Sequence, residues 1–239
     1  MKYAYSEKII AALERAEEAN EQSLEQVIDA FVQCVKNDHL IHTFGTGHSH
    51  MIGIELFARA GGLGNVDAML DPDVLTSNGA QRSCALEKVC GIADVIYDSY
   101  RIEKGDLMVI SSNSGRNAMP IEMAMRAQKE GVRVIAVTDV SVSRASVSRH
   151  PSGKHLFECA DLVLDTQLPP GDALLDFDGI RTGPGSSIVS MVLLDIVASE
   201  TIRRCLEEGI RPYVFQSQNV DGFDNDAIYA HYAGRIKHY

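Results

Sequence analysis

Two short segments of this chain carry residue types suited to holding an anion. In Gly45-Thr46-Gly47-His48-Ser49, Gly45 and Gly47 allow close backbone approach, and free N–H groups at the start of a following helix point at negative charge. In Ser112-Asn113-Ser114-Gly115, with Asn117 just beyond, two hydroxyls stand beside backbone donors, a combination that holds phosphate without Lys or Arg. Each segment also has a plain structural reading, a tight turn for the first and a serine-capped helix for the second. Two such segments in one chain favour binding. A third cluster, Thr182-Gly183-Pro184-Gly185-Ser186-Ser187, opens the last long helix and offers Ser186 and Ser187 to the same pocket or to ordinary capping. The first segment lacks the third glycine of the dinucleotide fingerprint. No GxxxxGK[ST] sequence occurs, so a P-loop is excluded.

These loops need elements that bring them together. Leu40–Phe44 is a short apolar run ahead of the first loop, and a helical stretch follows from about Ser49 to Arg59. The same order recurs: Leu107-Met108-Val109-Ile110 leads into the second loop, and a helical stretch runs from about Asn117 to Glu130, where Gly131 stops it. Arg133–Thr138 and Asp161–Asp165 read as two more strands and Val66–Leu70 as a weaker one. Buried strands alternating with helices imply a mainly parallel α/β sheet, with ligands at the carboxyl ends of the strands. Upstream, Ser6–Ala19 and a helix begun by a Ser23–Gln26 capping box form a helical pair. Ser141–Lys154 reads as a polar insertion, Gln167–Gly185 as a loop, and about Ser186–Glu208 as a final helix ended by Gly209; the last thirty residues show little periodicity.

Composition limits the function classes. The chain has 239 residues, 45% of them hydrophobic, enough for one large domain with a helical extension. Its 22 Lys plus Arg against 33 Asp plus Glu give a net charge of −11, which argues against nucleic acid as a partner. Cys34, Cys84, Cys90, Cys159 and Cys205 show no CxxC pairing, as expected of a reducing cytoplasm. Met1–Asn20 is too charged for a secretion signal, and Ser190 and Asp195 interrupt the most apolar stretch, Ser187–Ser199, so no membrane partner is expected. No HExxH or paired CxxC spacing is present; His48 and His50 diverge on a helix, and His231 and His238 lie in the tail. No obligatory metal and no cofactor is expected.

Ile41–Gly62 (IHTFGTGHSHMIGIELFARAGG) and Met108–Thr138 (MVISSNSGRNAMPIEMAMRAQKEGVRVIAVT) resemble the two core units of the sugar isomerase (SIS) domain family, within a likeness that runs from about Val27 to Glu208. The resemblance implies a flavodoxin-like three-layer αβα sandwich around a mainly parallel five-stranded sheet. It divides the chain into an N-terminal helical extension (1–26), the SIS domain (27–208) and a C-terminal tail (209–239). It also implies a phosphorylated sugar as ligand and a homodimer or homotetramer whose neighbouring subunit helps form the pocket. Ser49, Ser112 and Ser114 match the family's phosphate-binding hydroxyls, with Gly45, Gly47, Asn113 and Gly115 around them. Asn117 stands where the family usually has Thr.

The related phosphoheptose isomerases and N-acetylmuramic acid 6-phosphate etherases place a catalytic Glu about ten residues after the first loop's serine. Here that position is Arg59. Glu55, one helical turn earlier, is its substitute, and Glu87 lies where the etherases place a second acid. A base of near-neutral pKa would come from His48 or His150, while Lys154 is a candidate phosphate partner. The expected function is aldose/ketose isomerisation of a phosphosugar through an enediolate. The alternatives are a non-catalytic phosphosugar sensor and etherase or deaminase chemistry on an amino sugar phosphate.

Overall fold

Short apolar runs, buried along their length, build the sheet, and longer amphipathic segments cover it. The computed structural model describes residues 2–239. In chain order the elements are α1 (Ala4–Ala19), α2 (Glu21–Lys36), β1 (Ile41–Gly45), α3 (His50–Leu56), β2 (Val66–Ala68), α4 (Ala80–Leu86) and α5 (Ile92–Tyr97). Then follow β3 (Leu107–Ser111), α6 (Ala118–Lys129), β4 (Arg133–Thr138), α7 (Val140–Arg144), β5 (Leu162–Asp165), β6 (Ala173–Phe177), β7 (Ile180–Pro184), α8 (Ser186–Glu207) and α9 (Asp226–Tyr232).

The five strands β1 to β5 pair in parallel in the order β2-β1-β3-β4-β5. Alternation along each strand sorts the side chains onto two faces. Ile41, Leu107, Val109, Ile135, Val137 and Leu164 share one core with α1, α2 and α8. Met108, Ile110, Val134 and Ala136 share the other with α5 and α6. The result is the expected three-layer α/β architecture. Each large apolar side chain withdrawn from water contributes about 1.5–3 kcal/mol, so the sheet is the rigid floor on which the loops stand.

The N-terminal helices belong to the first of these cores, where Ala12 and Ala16 of α1 are fully buried. α2 starts at Glu21, so Ser23 lies inside its first turn and cannot cap it. Asn20 holds the helix junction instead: its Nδ2 donates to the Ala16 and Asp165 carbonyls, and its Oδ1 accepts from the Asp165 amide. α3 is shorter than its sequence pattern, because Phe57 turns extended and Ala58 takes φ +50°. The segment Gln167–Gly185 is no plain loop, since β6 and β7 form an antiparallel hairpin turned by Asp178 and Gly179 at φ +52° and +87°. The tail returns to the sheet: Phe215, Ile228, Tyr232 and Ile236 pack with Leu40, and Val214 bridges Leu63. Among the described residues, no helix is long and apolar enough to cross a membrane.

Candidate functional site

After β1 the chain turns to one side to form β2, then crosses to the other side of β1 to form β3. Strand order reverses here, and in sheets of this kind ligands bind in the crevice outside the carboxyl ends of the two diverging strands, here β1 and β3. The register sets Gly45 directly opposite Ser111, so both glycine loops leave the sheet side by side.

The first loop is shaped by glycine. A Cβ on Gly45 would sit 2.5 Å from the Ser49 carbonyl oxygen, and Gly47 has φ +59°. The Gly47 amide donates to Val74, and the Ser49 amide closes one 3-10 turn onto Thr46. The loop is fastened by Thr46, whose hydroxyl donates to Glu87 Oε2 at 2.8 Å, and by His50, whose Nδ1 meets the Gly47 carbonyl. His48 is exposed, and neither its ring nor the Ser49 hydroxyl has a hydrogen-bond partner among the described residues.

The second loop is more tightly held. Ser112, buried, donates its amide to Val137 and accepts the Gly115 amide on its hydroxyl at 3.3 Å. Asn113 accepts Thr166 Oγ1 on its side chain and the Asp139 amide on its carbonyl, which ties the loop to the ends of β4 and β5. Gly115 has φ +56°, and a Cβ there would lie 2.7 Å from Thr138 Oγ1 and 2.8 Å from Ser143 Oγ. Asn117 stands at the N-cap of α6, yet its Oδ1 accepts Arg149 Nη1 at 2.8 Å instead of a helix amide. Of the amides that open this twelve-residue helix, that of Met119 donates to the Glu87 carbonyl and Pro120 has none, which leaves that of Ala118 for a ligand. Ser114 is half-buried, and its hydroxyl has no partner among the described residues.

Glu87, at the C-cap of α4, joins the two loops: its carboxylate holds Thr46, and its backbone carbonyl accepts the amide of Met119 in the first turn of α6. It is half-buried. Arg116 and Arg149 bring positive charge to the same place, the Arg149 amide donating to the Arg116 carbonyl at 2.8 Å while Arg116 Nε is buried without a partner. Neither arginine was anticipated from the sequence. Arg116 was legible from its place beside the SxSG run, whereas Arg149 arrives through a contact 32 residues away.

Other candidates stand apart from this group. Glu55 is paired with Arg59 at 2.6 Å beside Asp195 of α8; burial, reinforced by the Glu55 charge, pushes the Asp195 carboxyl up. The Ser186 hydroxyl donates to Asp172, whose carboxylate also takes the Gly185 and Ser186 amides, so the start of α8 already holds a carboxylate; Ser187 is the next residue along. His150 lies 3.6 Å from Glu122, one turn into α6, and Lys154 is exposed.

The model of the SIS domain matches residues 4–139. The chain is also 35% identical over 241 residues to a UPF0309 protein of Caldanaerobacter subterraneus subsp. tengcongensis, with 98% of each chain covered. It belongs to the SIS domain family. Its relatives within that family include a second UPF0309 protein, from Halalkalibacterium halodurans, 37% identical over 92% of this chain and 93% of that one. Among solved SIS-like folds, the phosphoheptose isomerase from Neisseria gonorrhoeae superposes with TM-score 0.51 at 18% identity, covering 86% of this chain and 96% of its own. The Vibrio vulnificus NanR protein, complexed with ManNAc-6P, gives TM-score 0.55 at 17% identity over 86% of this chain and 63% of its own. An Escherichia coli protein solved with a phosphosugar ligand gives 0.51 at 17%, covering 84% and 87%. The fold is thus shared across very different sequences.

Proposed function

We propose that the crevice between β1 and β3 binds a phosphorylated sugar and interconverts its aldose and ketose forms through a cis-enediolate. The observation that carries this reading is the position of Glu87, whose carboxylate is fastened to the first loop and whose backbone is fastened to the first turn of α6. In this scheme the Ala118 amide at the start of α6 with Ser112 and Ser114 holds the phosphate, and Arg116 and Arg149 offset its charge. Ser49 supports it from the first loop. Fixing the phosphate places C1 and C2 of the sugar over Glu87, which takes the proton from one carbon and returns it to the other; His48 polarises the carbonyl from the open side. The solved neighbours that hold ManNAc-6P and a second phosphosugar support the choice of ligand class. The reading carries with it a homodimer or homotetramer in which a neighbouring subunit completes the pocket.

The test is NMR of the purified protein with a panel of aldose, ketose and amino sugar phosphates in D2O. Deuterium entering C1 or C2 with interconversion is the expected result. Glu87→Gln should lower turnover by about 10²–10⁴-fold while ligand affinity stays near that of the parent. Replacing both Ser112 and Ser114 by Ala should weaken binding by about tenfold or more. Unchanged affinity for every panel member in that double variant would overturn the phosphate site. Binding without exchange would leave the site standing and make the protein a phosphosugar sensor.

A further inference from the structure

The chain contains no metal-binding sequence motif, yet the fold gathers three ligand types from three separate segments. Cys90 lies in the turn between α4 and α5, Glu122 one turn into α6, and His150 in the loop after α7. The Cys90 Sγ, one Glu122 oxygen and one His150 ring nitrogen all lie within 4.8 Å of one another. We propose that these side chains form a zinc site, with the thiolate, one carboxylate oxygen and Nε2 as three ligands and water as the fourth.

The chemistry of the donor set suits Zn²⁺, which combines thiolate, imidazole and carboxylate in tetrahedral geometry at about 2.0–2.3 Å from each. Those bond lengths put ligand atoms about 3.3–3.7 Å apart. His150 Nε2 and Glu122 Oε1 are already at 3.6 Å. Cys90 has an exposed side chain and closes the remaining gap by a change of rotamer.

The surroundings orient the ligands. Glu122 Oε2 accepts the Gly91 amide at 2.8 Å, which turns Oε1 towards His150. The Ser152 amide donates to His150 Nδ1 at 3.2 Å, and the Ser152 hydroxyl lies 2.7 Å from the same atom. Metal on Nε2 requires the tautomer with the proton on Nδ1, in which the hydroxyl accepts that proton and the Ser152 amide gives up its bond. Binding is balanced by release of the Cys90 thiol proton to solvent, so one S–H bond is exchanged for one S–Zn bond.

A catalytic thiol is the competing reading of the same three residues. That reading needs the imidazole between thiol and carboxylate to take the sulfur proton. Glu122 is instead the residue tied at the centre, bonded to the turn that carries Cys90 and facing His150. A bound ion would staple the α7 loop to α6 and to the α4–α5 turn. Arg149, next in the chain to His150, would thereby be kept on Asn117 at the rim of the crevice. Zinc is thus assigned a positioning role.

The experiment is titration of reduced, chelator-stripped protein with Zn²⁺ against a chromogenic competitor, with Co²⁺ as the spectroscopic probe. Expected are one ion per chain, a Kd below about 1 μM and, with Co²⁺, a thiolate-to-metal charge-transfer band. Cys90→Ser should abolish that band, and His150→Ala and Glu122→Gln should each weaken Zn²⁺ binding by about 100-fold. Far-UV circular dichroism of the metal-free variants should match the parent. Zn²⁺ should also slow proteolytic cutting between residues 145 and 155 in the parent alone. Binding that persists unchanged in all three variants, or a Co²⁺ complex without a thiolate band, would overturn the site. None of these readouts involves a sugar, so the result stands or falls apart from the isomerase proposal.

Discussion

The loops after β1 and β3 leave the sheet from paired positions, Gly45 opposite Ser111, and are built in contrasting ways. In the loop after β3, the Ser112 hydroxyl and the Asn113 and Asn117 side chains are engaged by the protein itself, and the Ser114 hydroxyl is left without a partner among the described residues. In the loop after β1, the Thr46 and His50 side chains are engaged, while the His48 and Ser49 side chains have no hydrogen-bond partner among the described residues. A site that must hold one end of a ligand still and act on the other needs this division. A preorganised cradle loses little entropy on binding, and a less constrained neighbour can adjust to the reacting atoms.

Two glycines with nearly the same backbone angle offer the sharpest way to break this comparison. Gly115 (φ +56°) and Gly47 (φ +59°) both occupy the left-handed region, which costs a residue with a side chain about 1–2 kcal/mol. A Cβ at Gly115 also meets Thr138 and Ser143 below 3 Å, whereas at Gly47 its nearest neighbour is Thr76 Cγ2 at 4.0 Å. Gly115→Ala should therefore cost about 2–4 kcal/mol in urea unfolding and abolish phosphosugar binding, and Gly47→Ala only about 1–2 kcal/mol. Equal losses in the two variants would mean that the β3 loop is no more tightly packed than its partner.

Much of the contrast was legible beforehand, and what was missed has physical causes. Runs such as Leu107–Ile110 and Arg133–Thr138 declare buried strands because both faces are covered, so the sheet and the two loops at its edge followed from the sequence. The β6–β7 hairpin was hidden by Pro169, Pro170 and Gly171, although Asp178-Gly179 between two strand-length segments is a strong hairpin signal. Ser23 suggested a cap that Asn20 displaces, because Asn20 gains hydrogen bonds to Asp165 that no local pattern encodes. Arg149 and the Cys90–Glu122–His150 group are likewise products of tertiary contact. Glu87 came from family likeness alone, and no local pattern encodes its bond to Thr46.

Thr46→Val makes a smaller change on the open side. Removing the hydroxyl leaves Glu87 without its donor at 2.8 Å, a bond to a charged group worth about 1.5–3 kcal/mol when well buried and less at this half-exposed position. Stability should fall by about 1 kcal/mol. If Thr46 positions Glu87, turnover should fall with little change in KM. A rise in KM with unchanged turnover would assign Thr46 to ligand binding instead.

The gentlest perturbation acts on the floor shared by both loops. His42 of β1 is fully buried between Asp106, with Nε2 to Oδ2 at 3.0 Å, and Asp67, whose Oδ2 lies 3.3 Å from Nδ1 and off the line of a good hydrogen bond. Burial alone would push the imidazole down, but its bond to Asp106, the close Asp67 carboxylate and the charges of both outweigh that and hold it raised. Burial pushes Asp106 up, and it is nonetheless held below the usual carboxylate range by His42 and by the Leu40 and Glu103 amides. A raised His contributes its full stabilisation below the unfolded value of about 6.5 and loses it as pH rises through the folded value. A depressed Asp contributes above about 3.9 and loses its share as pH falls through its folded value. Stability to urea should therefore hold level between about pH 4 and 6.5 and decline on both sides. Because His42 links β1 to the start of β3, the alkaline decline should loosen both loops together, seen as equal gains in amide exchange at Gly47 and Gly115. Exchange rising at one loop alone would trace their contrast to the sheet beneath them and not to their own hydrogen bonds.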